Sequence, residues 1–189
     1  YFNDYSNLTG TCSMSAGCDP NDLDAQFNAG EAWVYGAELN INSDNHVGAG
    51  IRLAVNVSYT LTLSEFLADF KSKFAQWGDV KEGYELPYIP IHQGALTVGI
   101  RSSKWSLDVT TTHVGDMRDI AGTGDIAEKE LIPAHTIIDA NAFYHVSENG
   151  RIYVTGDNLL ARKYMVSRRP FGARPGKPLQ VSLGYKHDF

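Results

Sequence analysis

The chain has 189 residues, 43% of them hydrophobic and 20% charged, with a net charge of -6. That length suffices for one domain with a sizeable core, and the mild acidity argues against nucleic acid, which calls for a basic face. No apolar run approaches the 18 or so residues of a transmembrane helix. This leaves membrane-crossing strands open, because their lipid-facing and lumen-facing residues alternate and keep the mean hydropathy low.

In chain order, Tyr1 to Tyr5 reads as the end of a strand whose remainder lies upstream. Neither an initiator Met nor a charged leader precedes it, so a mature, truncated or cleaved polypeptide is expected. Residues 6–31 read as a long loop. Cys12 and Cys18 lie there among Gly10, Gly17 and Pro20. A local disulfide in an oxidising compartment is the expectation, and two free thiols are the alternative. Asp19, Asn21, Asp22 and Asp24 form an acidic run. It lacks the Gly and closing Glu of a calcium loop, so it is not read as a cation site.

Alternation then sets in. In 33–42, Trp33, Tyr35, Ala37, Leu39 and Ile41 alternate with Val34, Gly36, Glu38, Asn40 and Asn42. After a short turn over 43–50, Ile51, Leu53, Val55, Val57, Tyr59 and Leu61 alternate with Arg52, Ala54, Asn56, Ser58 and Thr60. One side of each strand meets an apolar medium and the other a wet one. The long loop 62–87 carries Phe66, Phe70 and Phe74 at spacing four, which predicts a short helix packing the loop onto its neighbours. Strands follow over 91–101 and 104–114, joined by a turn at 102–103, then a long loop over 115–135. The next pair covers 136–146 and 151–158, and a long loop over 159–177 leads to the last strand, 179–189. That strand alternates Leu179, Val181, Leu183 and Tyr185 with Gln180, Ser182, Gly184 and Lys186, and ends on the aromatic Phe189.

These are seven strands of about the 9–11 residues that a tilted strand needs to cross a bilayer. Short turns and long loops alternate, as periplasmic turns and extracellular loops do in outer-membrane barrels. Trp33, Tyr35 and Tyr59 fall toward the long-loop ends. Trp105, Tyr144, Tyr185 and Phe189 fall toward the short-turn ends, so two aromatic girdles are expected. The fold class is therefore all-β, a transmembrane antiparallel barrel. An odd number of strands does not close a single-chain bacterial barrel, so residues 1–189 are expected to be one piece of a larger one.

Several patterns then resemble one family, the TonB-dependent outer-membrane receptors of the ferric citrate and ferric siderophore branch. Phe2-Asn3-Asp4-Tyr5-Ser6-Asn7-Leu8 precedes the Cys pair. Asn28-Ala29-Gly30-Glu31 and Tyr35-Gly36-Ala37-Glu38 follow it. Then come Trp77-Gly78-Asp79-Val80, Leu86-Pro87-Tyr88-Ile89-Pro90-Ile91-His92-Gln93, Ile138-Asp139 and Asp157-Asn158-Leu159-Leu160-Ala161-Arg162-Lys163-Tyr164. The sequence departs from the family pattern at Ala161, where an Asp is usual, and at Pro178-Leu179, where Pro-Arg is frequent. The resemblance implies that the chain is the C-terminal part of a plugged barrel of about 22 strands. It places the plug domain, the earlier strands and the segment that contacts TonB outside this chain. It implies a bacterial outer-membrane location, contact with lipid and lipopolysaccharide, and import of a ferric chelate, either ferric citrate or another siderophore. No cofactor, nucleic-acid partner or enzymatic activity is expected; the chelate is cargo. A structural or adhesive barrel, or uptake of another nutrient, is the alternative.

The candidate ligand contacts are basic residues of the long loops. The 159–177 stretch holds Arg162, Lys163, Arg168, Arg169, Arg174 and Lys177 and no acid. Arginine presents planar donors that match a chelate's carboxylates. Arg168 and Arg169 are the leading pair, with Arg174 and, in the preceding long loop, Arg118. Lipopolysaccharide phosphate binding or plain solvated charge is the bland reading of the same cluster. No catalytic set emerges: His113 with Asp116 and Asp119 reads as a rim histidine among loop acids, and no G-x-S-x-G motif occurs. The His residues show no metal spacing.

Overall fold

The computed structural model describes residues 1–16, 18–169 and 171–188. The expectations resting on Gly17 and on the terminal Phe189 lie outside the described residues. Eight strands form one antiparallel sheet: β1 (Phe2–Tyr5), β2 (Ala32–Gly48), β3 (Ile51–Phe66), β4 (His92–Arg101), β5 (Trp105–Val114), β6 (His135–His145), β7 (Gly150–Asp157) and β8 (Gln180–His187). Each pairs with its neighbours in sequence order, and β1 and β8 are the two edges of an open sheet. The molecule is a segment of barrel wall. The strand end expected at Tyr1–Tyr5 joins the seven strands as an eighth, because residues 2–5 pair fully with β2. The parity argument for a fragment lapses with it, and the open sheet stands in its place.

The register confirms the two faces. One row across the sheet runs Val55, Val98, Val109, Ala140, Gly156, Val181. The next runs Leu53, Ile100, Leu107, Ala142, Val154, Leu183. Below them, at the short-turn end, come Trp105, Tyr144, Ile152 and Tyr185. Interleaved rows of opposite parity are polar: Asn42, Asn56, Thr97, Thr110 and Asp139 lie in one line, where the Thr97 and Thr110 hydroxyls bond at 2.9 Å. Near the turns, Arg52 pairs with Asp44 at 2.6 Å and Arg101 with Asp108 at 3.1 Å. The apolar face is the lipid side and the polar face the lumen side. At the long-loop end Phe2 packs against Trp33 and Tyr35, and Tyr59 stacks on His92. Both girdles are present among the described residues.

Two strands are longer than their alternation predicts. β2 has 17 residues and β3 has 16. At about 3.3 Å per residue they outrun a hydrocarbon layer of about 30 Å even when tilted by about 45°. Their turn is not the eight-residue stretch expected but Ala49 and Gly50 alone, with φ of 51° and 70°. Two successive left-handed residues make the two-residue hairpin turn whose twist matches the strands. Residues 43–47 read as a turn because Ser43, Asp44, Asn45 and His46 are polar on both faces, which a strand standing clear of lipid tolerates.

At the other end β3 continues to Phe66, and the helix expected over the Phe stripe is absent among the described residues. Phe70–Lys71 instead pairs with Asp79–Val80. Phe66 meets Phe70 and Trp77 edge-on, and Phe74 meets Trp77 with ring centroids 4.7 Å apart. Spacing four arises here from a strand end, a small hairpin and a turn folded around one tryptophan. The expected packing role holds, since Phe66, Phe74, Trp77 and Val80 form a buried core with Cys12, Ala16, Ala29, Ala32 and Leu86. Cys12 and Cys18 are joined by a disulfide that pins the 6–31 loop to this core.

Candidate functional site

The long loops are not separate. Residues 67–91, 115–134 and 158–179, which leave the same end of neighbouring hairpins, are bonded into one cap. Arg118 is buried. Its Nε donates to Glu85 Oε2 at 2.7 Å and its Nη2 to the Gly124 carbonyl at 3.0 Å. Beside it Glu85 and Gly122 pair as a β-bridge, and the Tyr88 amide donates to the Arg118 carbonyl at 2.9 Å. Arg169 forms an ion pair with Asp119 at 3.1 Å, with side chains only 14% and 9% exposed, and also donates to the Ala75 carbonyl at 3.0 Å. Arg168 donates to the Leu131 and Glu128 carbonyls at 2.8 and 2.7 Å.

Tyr88 is the point where the three loops meet. Its hydroxyl donates to Asp119, lies 3.2 Å from Ser167 Oγ and accepts from the Arg168 amide at 3.3 Å. Its backbone has φ of 62°, a left-handed conformation costly for a bulky residue, and the surrounding bonds hold it there. Burial raises the phenol's pKa above its usual value, and the bond to the Asp119 carboxylate raises it further. Elsewhere in the cap the Glu82 amide and the Lys81 ammonium hold the Asp69 carboxyl below the ordinary range.

The final loop starts from Asn158, which is 1% exposed and left-handed, φ 48°. Its amide nitrogen donates to the Arg162 and Lys177 carbonyls, its oxygen accepts from the Arg162 amide, and its own amide donates to Asp139. Around this clamp the two faces part. Asp157, on the lumen face, pairs with Lys177 at 2.7 Å. Leu159 lies over Gly156 on the lipid face, where a Cβ would meet it at 2.6 Å. Tyr164 turns back to stack on His135 at 4.5 Å, and His135 shares the lumen-facing parity of Asp139 and Asn141. The motif at 157–164 was legible as a resemblance, but the clamp itself was not read from it.

Beside this stack lies a cavity of about 380 Å³, lined by Pro133, Ala134, Arg162, Lys163, Tyr164, Met165, Ala173, Arg174 and Pro175. Of the four candidate arginines, the structure brings Arg118, Arg168 and Arg169 into the seams between loops and places Arg174 on this cavity. The sequence reading gave no special place to Arg162 or Lys163, which line it too. His113 and Asp119 are not brought together: His113 Nδ1 bonds Thr136 Oγ1 at 2.9 Å, while Asp119 holds Tyr88 and Arg169.

The family described as "TonB dependent receptor-like, beta-barrel" matches residues 1–159. The chain belongs to this family. It is therefore a bacterial outer-membrane β-barrel protein, in a family of transport receptors. No curated protein matches it. Solved structures of similar fold include the siderophore receptor PiuA from Acinetobacter baumannii, at 19% identity and TM-score 0.70, covering 98% of this chain and 25% of that one. The ferric-catecholate import receptor Fiu from E. coli K12 follows at 19% identity and TM-score 0.67, covering 100% and 24%. The ferric citrate transporter FecA matches at 17% identity and TM-score 0.61, covering 95% and 26%. The chain thus spans about a quarter of the length of these receptors.

Proposed function

We propose that the chain is the C-terminal part of the barrel of a receptor that imports a ferric chelate, with a plug domain, the remaining strands and the TonB-contacting segment elsewhere in the same polypeptide. The cargo in this reading is ferric citrate or another anionic ferric siderophore, and the energy comes through TonB. The lipid-facing rows would meet the membrane core, with lipopolysaccharide around the loops. The observation that carries the reading is the cap, in which three loops are bonded together at one end of a polar lumen face and bear cations that have no partner among the described residues. Likeness of fold to the siderophore receptor PiuA, the ferric-catecholate import receptor Fiu and the ferric citrate transporter FecA supports it.

Arg118, Arg168, Arg169 and Arg174 remain the candidate residues, with divided work. The first three hold the loops in place, and Arg174 has a guanidinium without a partner among the described residues. Replacing Arg168 and Arg169 by Ala weakens chelate binding under either role, so Arg174→Ala is the discriminating variant. The reading is tested by uptake of radiolabelled iron, supplied as ferric citrate or a ferric catecholate, in cells whose only such receptor is the full protein, with and without TonB. TonB-dependent accumulation is expected. Its absence for every chelate tried would leave another nutrient, or a structural barrel, as the better account.

A further inference from the structure

We infer that the cavity lined by Pro133, Ala134, Arg162, Lys163 and Arg174 is an oxyanion site for a carboxylate-bearing ligand. The inference rests on the import reading and names the chemistry by which this segment would select among chelates. Three cations, Arg162, Lys163 and Arg174, line it. Among the described residues their side-chain nitrogens have no protein partner. The other basic groups of the loop are committed: Arg168 to carbonyls, Arg169 to Asp119, Lys177 to Asp157. Among the described residues no acid lines the cavity. Its remaining walls are Pro133, Ala134, Tyr164, Met165, Ala173 and Pro175, apolar surface with one aromatic ring.

Such a mixture, a few polar groups on an otherwise apolar concavity of a few hundred Å³, is what a small-molecule site presents. Two guanidiniums match carboxylates bidentately, and the ammonium adds a point charge. The placement argues for a soluble ligand over a lipid headgroup. The Tyr164 ring rests on His135, which has lumen-facing parity, and Asp157 and Lys177 lie on the same side. Leu159 of this loop lies instead against Gly156, on the lipid face. The Asn158 clamp ties the main chain of this loop at Arg162 and Lys177, so the backbone that carries the cations is ordered before a ligand arrives, which lowers part of the ordering cost of binding.

The test uses the full receptor and two probes: iron-free citrate, and its neutral trimethyl ester as a control of the same scaffold. Acylation of Lys163 by an amine-reactive reagent is followed by mass spectrometry, with the exposed Lys129 as internal reference. Citrate should slow labelling of Lys163 and the ester should not. In Arg162→Gln/Arg174→Gln, at unchanged surface display, the citrate concentration needed should rise about tenfold or more, since each charge-assisted bond is worth at least that factor. Labelling unaffected by citrate, or protection undiminished in the double variant, would overturn the site. Iron uptake by the same cells separates the two readings. Citrate protection in a receptor that imports no ferric chelate removes the import reading and leaves the site. Import unchanged by the double variant, with no protection, removes the site and leaves import.

Discussion

Replacing Asp119 by Asn keeps the shape of the side chain and removes its charge. In the structure that carboxylate accepts from Tyr88 and forms an ion pair with Arg169, and both side chains of the pair are almost wholly buried. An exposed pair would contribute under about 1 kcal/mol. A buried pair broken on one side costs about 3–5 kcal/mol, because the surviving charge is left without compensation. Arg169 retains only the Ala75 carbonyl, and its Nε already has no partner, so relief by an alternative bond is limited. The loss falls on the seam between loops, since Asp119 and Arg169 lie outside the eight strands. Hydrogen exchange reads it directly. The amides of Tyr88, Ala121 and Asp119 donate to carbonyls of Arg118, Gln76 and Glu130. A 3 kcal/mol loosening lowers their protection about a hundredfold. Amides of β5 and β6, bonded in the ladder, should keep theirs. Unchanged protection at Tyr88 and Ala121 would show that the ion pair does not hold the cap. Losses spreading into β5 and β6 would show that the cap and the wall are one cooperative unit.

Other consequences are as direct. Val55→Arg places a charge in the central apolar row of the lipid face and should cost about 2–4 kcal/mol of stability in bilayers, measured by reversible unfolding into denaturant from vesicles; an unchanged value would put the lumen on the other face. Asn158→Ala removes three side-chain bonds from a buried site and leaves Ala in a left-handed conformation. A loss of about 2–4 kcal/mol is expected, seen as new protease cleavage within 158–179, and an intact loop would refute the clamp. The Tyr88 phenol has a folded pKa above its unfolded value near 10. It therefore adds stability that is fully present below pH 10 and is lost as pH rises through the folded pKa. Protection of the cap amides, measured against the intrinsic base-catalysed exchange rate, should fall in that alkaline window in wild type and not in Tyr88→Phe; identical protection profiles would remove the phenol from the seam.

The wall was legible because a strand with lipid on one side and water on the other must alternate, so Leu53, Val55 and Val57 declare their face without any partner. Where that constraint ends, so does legibility. The polar residues Ser43, Asp44, Asn45 and His46 of β2 alternate nothing, and the strand was cut short there. Phe66, Phe70 and Phe74 keep a helical spacing that a hairpin around Trp77 reproduces. For the site, the sequence showed a basic loop but not how its charges divide. Arg168 and Arg169 are adjacent in sequence to nothing that explains them. Their partners are carbonyls of Glu128, Leu131 and Ala75 and the side chain of Asp119, all on other loops. Carbonyls leave no signature in composition, so a structural arginine and a ligand arginine look alike until the fold brings them home.

That choice of partner has a consequence for how the outer surface can change. Five of the acceptors that hold the cap together, at Ala75, Arg118, Gly124, Glu128 and Leu131, are main-chain oxygens. Every amino acid supplies the same oxygen. At the exposed Glu128 the side chain is therefore free to change while Arg168 goes on gripping the same backbone. A cap built this way can change an exposed side chain without loosening the bonds beneath it.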